Sequence, residues 1–134
     1  FFLIDQINEH TNNTSDKPIA IISGGETVVN MRGSGLGGRN QELALSFLAN
    51  NKKINTHREW LLLSVGTDGI DGPTNAAGGI IDNTSVKCMM KSNNDINHFL
   101  SNNDSYNYLK EINSLYITGP SGTNVADIQL ILVR

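Results

Sequence analysis

The chain has 134 residues, 17% of them charged and 38% apolar, a formal charge of -3 and a pI near 5.5. That length suits one domain whose core hides roughly two thirds of the unfolded surface, and the acidic balance favours neither nucleic acid nor a lipid surface as a partner. No apolar run reaches the ~18 residues of a membrane span, no signal-peptide pattern opens the chain, and a single cysteine, Cys88, excludes an internal disulfide and suits a reducing, cytoplasmic compartment.

In chain order, residues 1 to about 10 read as the end of an amphipathic helix, with Phe2, Leu3 and Ile7 on one side. A start at Phe1 in running helix reads as a C-terminal domain cut from a longer chain. Thr11 to Lys17 is polar and reads as a loop, and Pro18 sits where a strand can begin. Ile19–Ile22 and Thr27–Met31 are β-branched and apolar, two strands broken at Gly24-Gly25 by a tight turn or bulge. A loop with four glycines from Gly33 to Gly38 then opens a helix to Asn50, where Leu43/Phe47 and Ala44/Leu48 pair at four-residue spacing. Asn51–Glu59 is irregular, and Trp60–Val65 is a continuous apolar run, the mark of a strand covered on both faces. Ala76–Ile81 reads as a short strand or buried connection, and Asn83–Met90 as a helix capped by Asn83 or Thr84. Asp95–Leu100 is ambiguous. Asp104–Asn113 reads as a helix with Tyr108, Leu109 and Ile112 inward; Leu115–Thr118 and Val125–Val133 read as strands. Strands separated by helices give a single α/β domain, and the adjacent pair at 19–31 points to a mixed β-sheet flanked by helices.

Three loops share one character: each follows an apolar strand and carries glycine with small polar side chains. In open α/β sheets, ligands collect at such strand ends. In the first loop, amides at the positive end of a helix dipole suit an anion such as phosphate, and Arg32 and Arg39 can each add a forked pair of donors. Gly33, Gly35 and Gly38 match G-x-G-x-x-G, but Glu59 precedes the next strand instead of ending it, which argues against a nicotinamide fold. The same glycines also suit a plain loop that needs positive φ. Arg39 at a helix start works against the dipole, so an anion, either a ligand or Glu42, is expected to compensate it. Glu26 can equally be a solvent-facing partner of Arg32. In the second loop, Asp68 and Asp71 are hard-oxygen ligands for magnesium without EF-hand spacing, or ordinary Asp-Gly turns. In the third, Ser121, Thr123 and Asn124 can meet a substrate hydroxyl or carboxylate, or simply form a turn at Pro120. His10, His57 and His98 lie in polar stretches away from these loops, and Cys88, beside Met89 and Met90, reads as core.

Five segments together carry a resemblance. Ser-Gly-Gly-Glu-Thr (23–27), Gly-Gly-Arg-Asn-Gln-Glu (37–42), Gly-Thr-Asp-Gly-Ile-Asp-Gly-Pro-Thr (66–74), Asn-Asn-Asp-Ser (102–105) and Thr-Gly-Pro-Ser-Gly-Thr-Asn-Val (118–125) stand in the order found in the MOFRL domain. The chain from about residue 18 onward resembles this C-terminal domain of class II glycerate kinases, which are often labelled hydroxypyruvate reductases. The resemblance implies phosphoryl transfer from ATP to D-glycerate with magnesium, giving 2-phosphoglycerate. It also implies a cleft shared with a larger N-terminal Rossmann-like domain that these residues do not contain, so that this chain alone would be inactive. It marks Arg39 as an active-site residue, working with a lysine of that other domain. The candidate substrate- and phosphate-binding residues are Gly24, Gly25, Glu26, Arg32, Gly37, Gly38, Asn40, Ser121, Thr123 and Asn124. Asp68 and Asp71 are candidates both for holding magnesium and for taking the glycerate hydroxyl proton. Two other classes stay open: an NAD(P)H oxidoreductase acting on hydroxypyruvate, and a non-catalytic anion-binding lid.

Overall fold

A computed structural model describes residues 2–13 and 17–134. Helix α1 (Phe2–Asn13) leads to strand β1 (Ile19–Gly25), helix α2 (Arg39–Ala49) and strand β2 (Trp60–Gly66). Strand β3 (Gly78–Asp82), helices α3 (Asn83–Lys91), α4 (Ile96–Ser101) and α5 (Ser105–Glu111), and strands β4 (Leu115–Tyr116) and β5 (Asp127–Val133) complete the chain. The strands form one sheet in the order β1-β5-β2-β3-β4.

The α/β class, single domain and helix-flanked sheet are those expected. The pairing corrects one part of that expectation: all four interfaces are antiparallel, so the sheet has no parallel component. The expected second strand at 27–31 does not form, and β1 runs through Gly24 and Gly25 instead of turning there. β5 takes the place beside β1 because it offers an unbroken alternation, matching Ile21 with Ile131 and Ile19 with Val133. The ambiguous segment 95–100 is α4, capped by the Asp95 side chain on the Asn97 N–H. α3 is capped one residue before the expected pair: Asp82 accepts from the Thr84 and Ser85 N–H groups at 2.7 and 2.8 Å, and Ser85 returns the bond.

The core lies on one face of the sheet. Leu62, Ile81, Ile131 and Val133 pack there with Leu45, Leu48, Tyr108 and Leu109 from α2 and α5, all nearly inaccessible to water. Each such side chain contributes about 1.5–3 kcal/mol by leaving water. The other face is barer than the apolar run at 60–65 suggested. Leu61, Leu63 and Val65 are half-buried, and Ile22, Ile128 and Leu132 beside them are 74%, 39% and 43% exposed. Because β-strand side chains alternate, the inward face of β5 reads Val133, Ile131, Gln129, Asp127. It turns from apolar to polar at the end where the glycine loop arrives.

Candidate functional site

That polar end is where the three loops meet. Asp127 opens β5 with its side chain fully buried, and Arg39, the first residue of α2, grips it with both prongs of the guanidinium. Nε donates to Oδ2 at 2.7 Å and Nη2 donates to Oδ1 at 2.9 Å. Nη1 lies 2.8 Å from Glu26, whose side chain is 63% exposed. Burial alone would lift the Asp127 carboxyl. The hydrogen bonds of Arg39 and Asn40, the Arg39 charge and the Thr27 backbone N–H more than reverse this and hold it below the usual range. The hydrogen bond to Asp127 likewise raises Arg39, against the opposing effect of burial. Arg39 is therefore a permanent cation on a fixed mount. The anion that offsets it against the helix dipole is this carboxylate pair; Glu42 instead accepts from the Asn103 amide at 2.9 and 3.1 Å.

The start of α2 is already closed by an anion from within the chain. Asp71 Oδ1 accepts from the Asn40 N–H at 3.1 Å and Oδ2 from the Gln41 N–H at 2.9 Å, while the Gln41 amide bonds the Asp71 carboxylate and carbonyl. Asp71, 3% exposed, thus caps the start of α2 from a remote part of the chain. A Cβ on Gly38 would come within 2.3 Å of this carboxylate, which is why glycine stands there. The amides from Arg32 to Leu36 are occupied as well, by Asn103 Oδ1, Asn102 Oδ1, the Asn102 carbonyl and Asp104 Oδ1. Gly35 lies so close that a Cβ would meet Asp104 at 2.4 Å. The segment Arg32–Leu36 thus lies against the turn between α4 and α5, with its amides bonded there. Asn40 is 1% exposed and bonded to Ser64 and Asp71.

Asp68 is placed differently. It is half-buried, and its Oδ1 accepts from the Ile70 N–H. Asp68 Oδ1 and Asp127 Oδ1 lie 3.0 and 3.7 Å from the point where a Cβ on Gly66 would sit, so Asp68 borders the Arg39–Asp127 pair. The third loop is tied to the second: the Ser121 N–H donates to the Asp68 carbonyl, and Thr67 bonds both the Val125 N–H and the Ala126 carbonyl. Ala126 is held at φ 70° by these bonds, a strained conformation for a residue with a Cβ, directly before Asp127. Thr123, Asn124, Gly24, Gly25 and Arg32 are exposed on the same side, and Gly37 packs against Ser105.

So the structure brings Arg39, Glu26, Asp68 and the third loop together and places Asp71 and Asn40 beneath them as supports. Asp127 is the residue that sequence reasoning missed. Its signal was a carboxylate in phase with Ile131 and Val133 on a buried strand face, a position that demands a cation. Among the described residues no three metal-ligating side chains converge, and His10, His57 and His98 are exposed and outside the site. No helix among them is long and apolar enough to cross a membrane.

A cleft of about 480 Å³ opens beside Arg39, lined also by Arg32, Glu42, Leu43, Ser46 and Thr27. A second, of about 410 Å³, adjoins it between α1 and α2.

Comparison with known proteins gives a consistent result. The profile of the MOFRL family matches residues 19–127. D-glycerate 2-kinase of Thermotoga maritima is 52% identical over 117 residues, covering 87% of this chain and 27% of that protein. Glycerate 2-kinase of Pyrococcus horikoshii is 43% identical over 119 residues, covering 88% and 26%. The crystal structure of the Thermotoga maritima glycerate kinase superposes with a TM-score of 0.87 at 46% identity, covering 99% of this chain and 32% of that one. The chain therefore spans between a quarter and a third of the length of these relatives. All of them carry kinase names, which leaves the oxidoreductase reading without support.

Proposed function

Because the chain belongs to the MOFRL family, we propose that it supplies the arginine-bearing part of a glycerate kinase, which moves a phosphoryl group from ATP to D-glycerate and gives 2-phosphoglycerate. One observation carries this reading: Arg39 is locked on a buried carboxylate with part of its donor set directed outward.

A guanidinium has five N–H donors. Asp127 takes one on Nε and one on Nη2, and Glu26 takes one on Nη1. Two remain, and the exposed Glu26 can be displaced by an incoming anion at small cost, since an exposed ion pair contributes only about 0–1 kcal/mol. Arg39 can then hold either the glycerate carboxylate or the migrating phosphoryl without moving. Phosphoryl transfer asks mainly for positioning and for positive charge on the migrating group, and a prefixed cation meets both needs. Arg32, exposed across the same cleft, adds a second cation for the donor phosphates.

Asp68 is the carboxylate in reach of this chemistry. With Oδ1 on the Ile70 N–H, its other oxygen can accept the proton of the attacking hydroxyl or ligate magnesium. Magnesium characteristically takes one or two carboxylates together with substrate phosphates, so Asp68 alone fits as the protein ligand. When bound, the ion would neutralise charge on the transferring phosphates. The rest of the pocket falls to a further domain, as the fraction of the relatives matched by this chain suggests. A single half-buried thiol, Cys88, fits a cytoplasmic setting.

The test is a chimera in which these residues replace the matching part of the Thermotoga maritima kinase. The expected result is ADP release that requires D-glycerate. NAD(P)H consumption with hydroxypyruvate, or a folded chimera with no ADP release, would overturn the proposal.

A further inference from the structure

The two clefts beside α2 form one trough. Both are lined by Thr27, Leu43 and Ser46. The floor is one stripe of the helix: Arg39, Leu43, Ser46 and Asn50 follow at spacings of four, three and four, which puts them on one face. At ~1.5 Å per residue the stripe runs about 16 Å, the span of a nucleoside with its phosphates.

The two ends differ in chemistry. The Arg39 end carries Arg32, Arg39 and Glu42. Among the described residues the far end carries no charged side chain. Its walls are Phe2, Leu3 and Ile4 of α1 with Leu43 and Phe47 of α2, and its polar groups are Ser23, Thr27, Ser46, Asn50 and Gln129. Gln129 is the unexplained member. It is 5% exposed, on the inward face of β5 opposite Ser23, and its amide nitrogen has no hydrogen-bond partner among the described residues. The Thr27 hydroxyl, shared by both clefts, is likewise without a partner. Buried donors are ordinarily matched, and two unmatched ones at the border of one roomy, uncharged recess mark a place where a ligand supplies the acceptors.

We propose that this neutral recess between α1 and α2 receives the base and ribose of the nucleotide whose phosphates point toward Arg39 and Arg32, with the Gln129 amide and Thr27 hydroxyl bonding it. A flat, uncharged heterocycle with several acceptors matches the apolar walls and the orphaned donors, and a polyanionic tail matches the far end. The assignment rests on the phosphoryl-transfer reading above.

Equilibrium binding of adenosine, inorganic triphosphate and ATP to this chain, followed by NMR, tests it. ATP is expected to bind at least tenfold more tightly than inorganic triphosphate, and adenosine alone to bind saturably in the millimolar range. Asn50 is half-buried and lines only the recess, so Asn50→Trp fills that end without entering the cleft beside Arg39. It should abolish adenosine binding and the tenfold advantage of ATP while leaving triphosphate affinity within about twofold. Gln129→Leu, close in volume but without the amide, should weaken adenosine about five- to tenfold; its melting curve reports its fold. Absence of saturable adenosine binding, or adenosine binding unchanged by Asn50→Trp, overturns the assignment. Triphosphate binding that persists in that case leaves the role of Arg39 standing, whereas its absence in the unmodified chain strikes at Arg39 and not at the recess.

Discussion

Replacing Asp127 by Asn removes the charge from a buried mount while keeping its shape. The carboxylate accepts two guanidinium bonds, at 2.7 and 2.9 Å. Asn offers an acceptor to one prong and turns an N–H₂ group against the other. Hydrogen bonds to charged groups contribute about 1.5–3 kcal/mol, and breaking a fully buried ion pair costs about 3–5 kcal/mol. The Arg39 side chain is 36% exposed and can turn to water, so the loss should sit below the buried-pair range, at about 2–3 kcal/mol. For a domain of this length that lowers Tm by about 6–12 °C. Glu26→Gln, at the exposed partner, should cost no more than about 0.5 kcal/mol. The folded-state pKa of Asp127 lies below its unfolded value. Its contribution is therefore complete above the unfolded pKa, near ~4, and fades as pH falls through the lower folded value. Urea or thermal unfolding should show a constant gap between the parent and Asp127→Asn from pH 5 to 8, closing below about pH 4. A gap under about 2 °C at pH 7, or an equal loss in Glu26→Gln, would refute the reasoning.

The two loop aspartates should part company. Asp71→Ala should cost about 3–4 kcal/mol in unfolding free energy, because the buried Asn40 and Gln41 N–H groups both lose the carboxylate that caps them, whereas Asp68→Ala should cost under about 1 kcal/mol and act on turnover in the chimera. Gly35→Ala should lower stability by at least about 2 kcal/mol, because its Cβ would meet Asp104 at 2.4 Å; a melting curve decides. On β5, Ile131→Thr should cost about 2–4 kcal/mol and Leu132→Thr, on the open face, under about 0.5 kcal/mol, measured by the same unfolding assay.

The elements with strong periodicity were legible. α2 announces itself through Leu43/Phe47 and Ala44/Leu48, and β5 through its alternation. Pairing was not, because β1 and β5 are separated by a hundred residues of chain and nothing local marks them as neighbours. Thr27–Met31 has strand-forming residues but stays unpaired, with its neighbours Arg32 and Gly33 bonded to Asn103 instead. That is tertiary context overriding propensity. Within the site, Arg39 was legible from its misfit with the helix dipole. The division of labour between Asp68 and Asp71 was not, since both stand in Asp-Gly turns and only the fold decides which one meets the start of α2. The glycine loop shows a related ambiguity. Its glycines permit close approach, and what Gly33, Gly35 and Gly37 approach is the turn at Asn102–Ser105.

The most direct measurement is the turnover of Arg39→Lys in the kinase chimera, with a melting curve alongside. Lysine keeps the charge near Asp127 and loses the fork that serves the carboxylate and the ligand together. If Arg39 is the prefixed cation of the reaction, kcat for glycerate-dependent ADP formation falls about 10²–10³-fold while the variant remains folded. A folded variant whose kcat stays within about threefold of the parent would contradict that role.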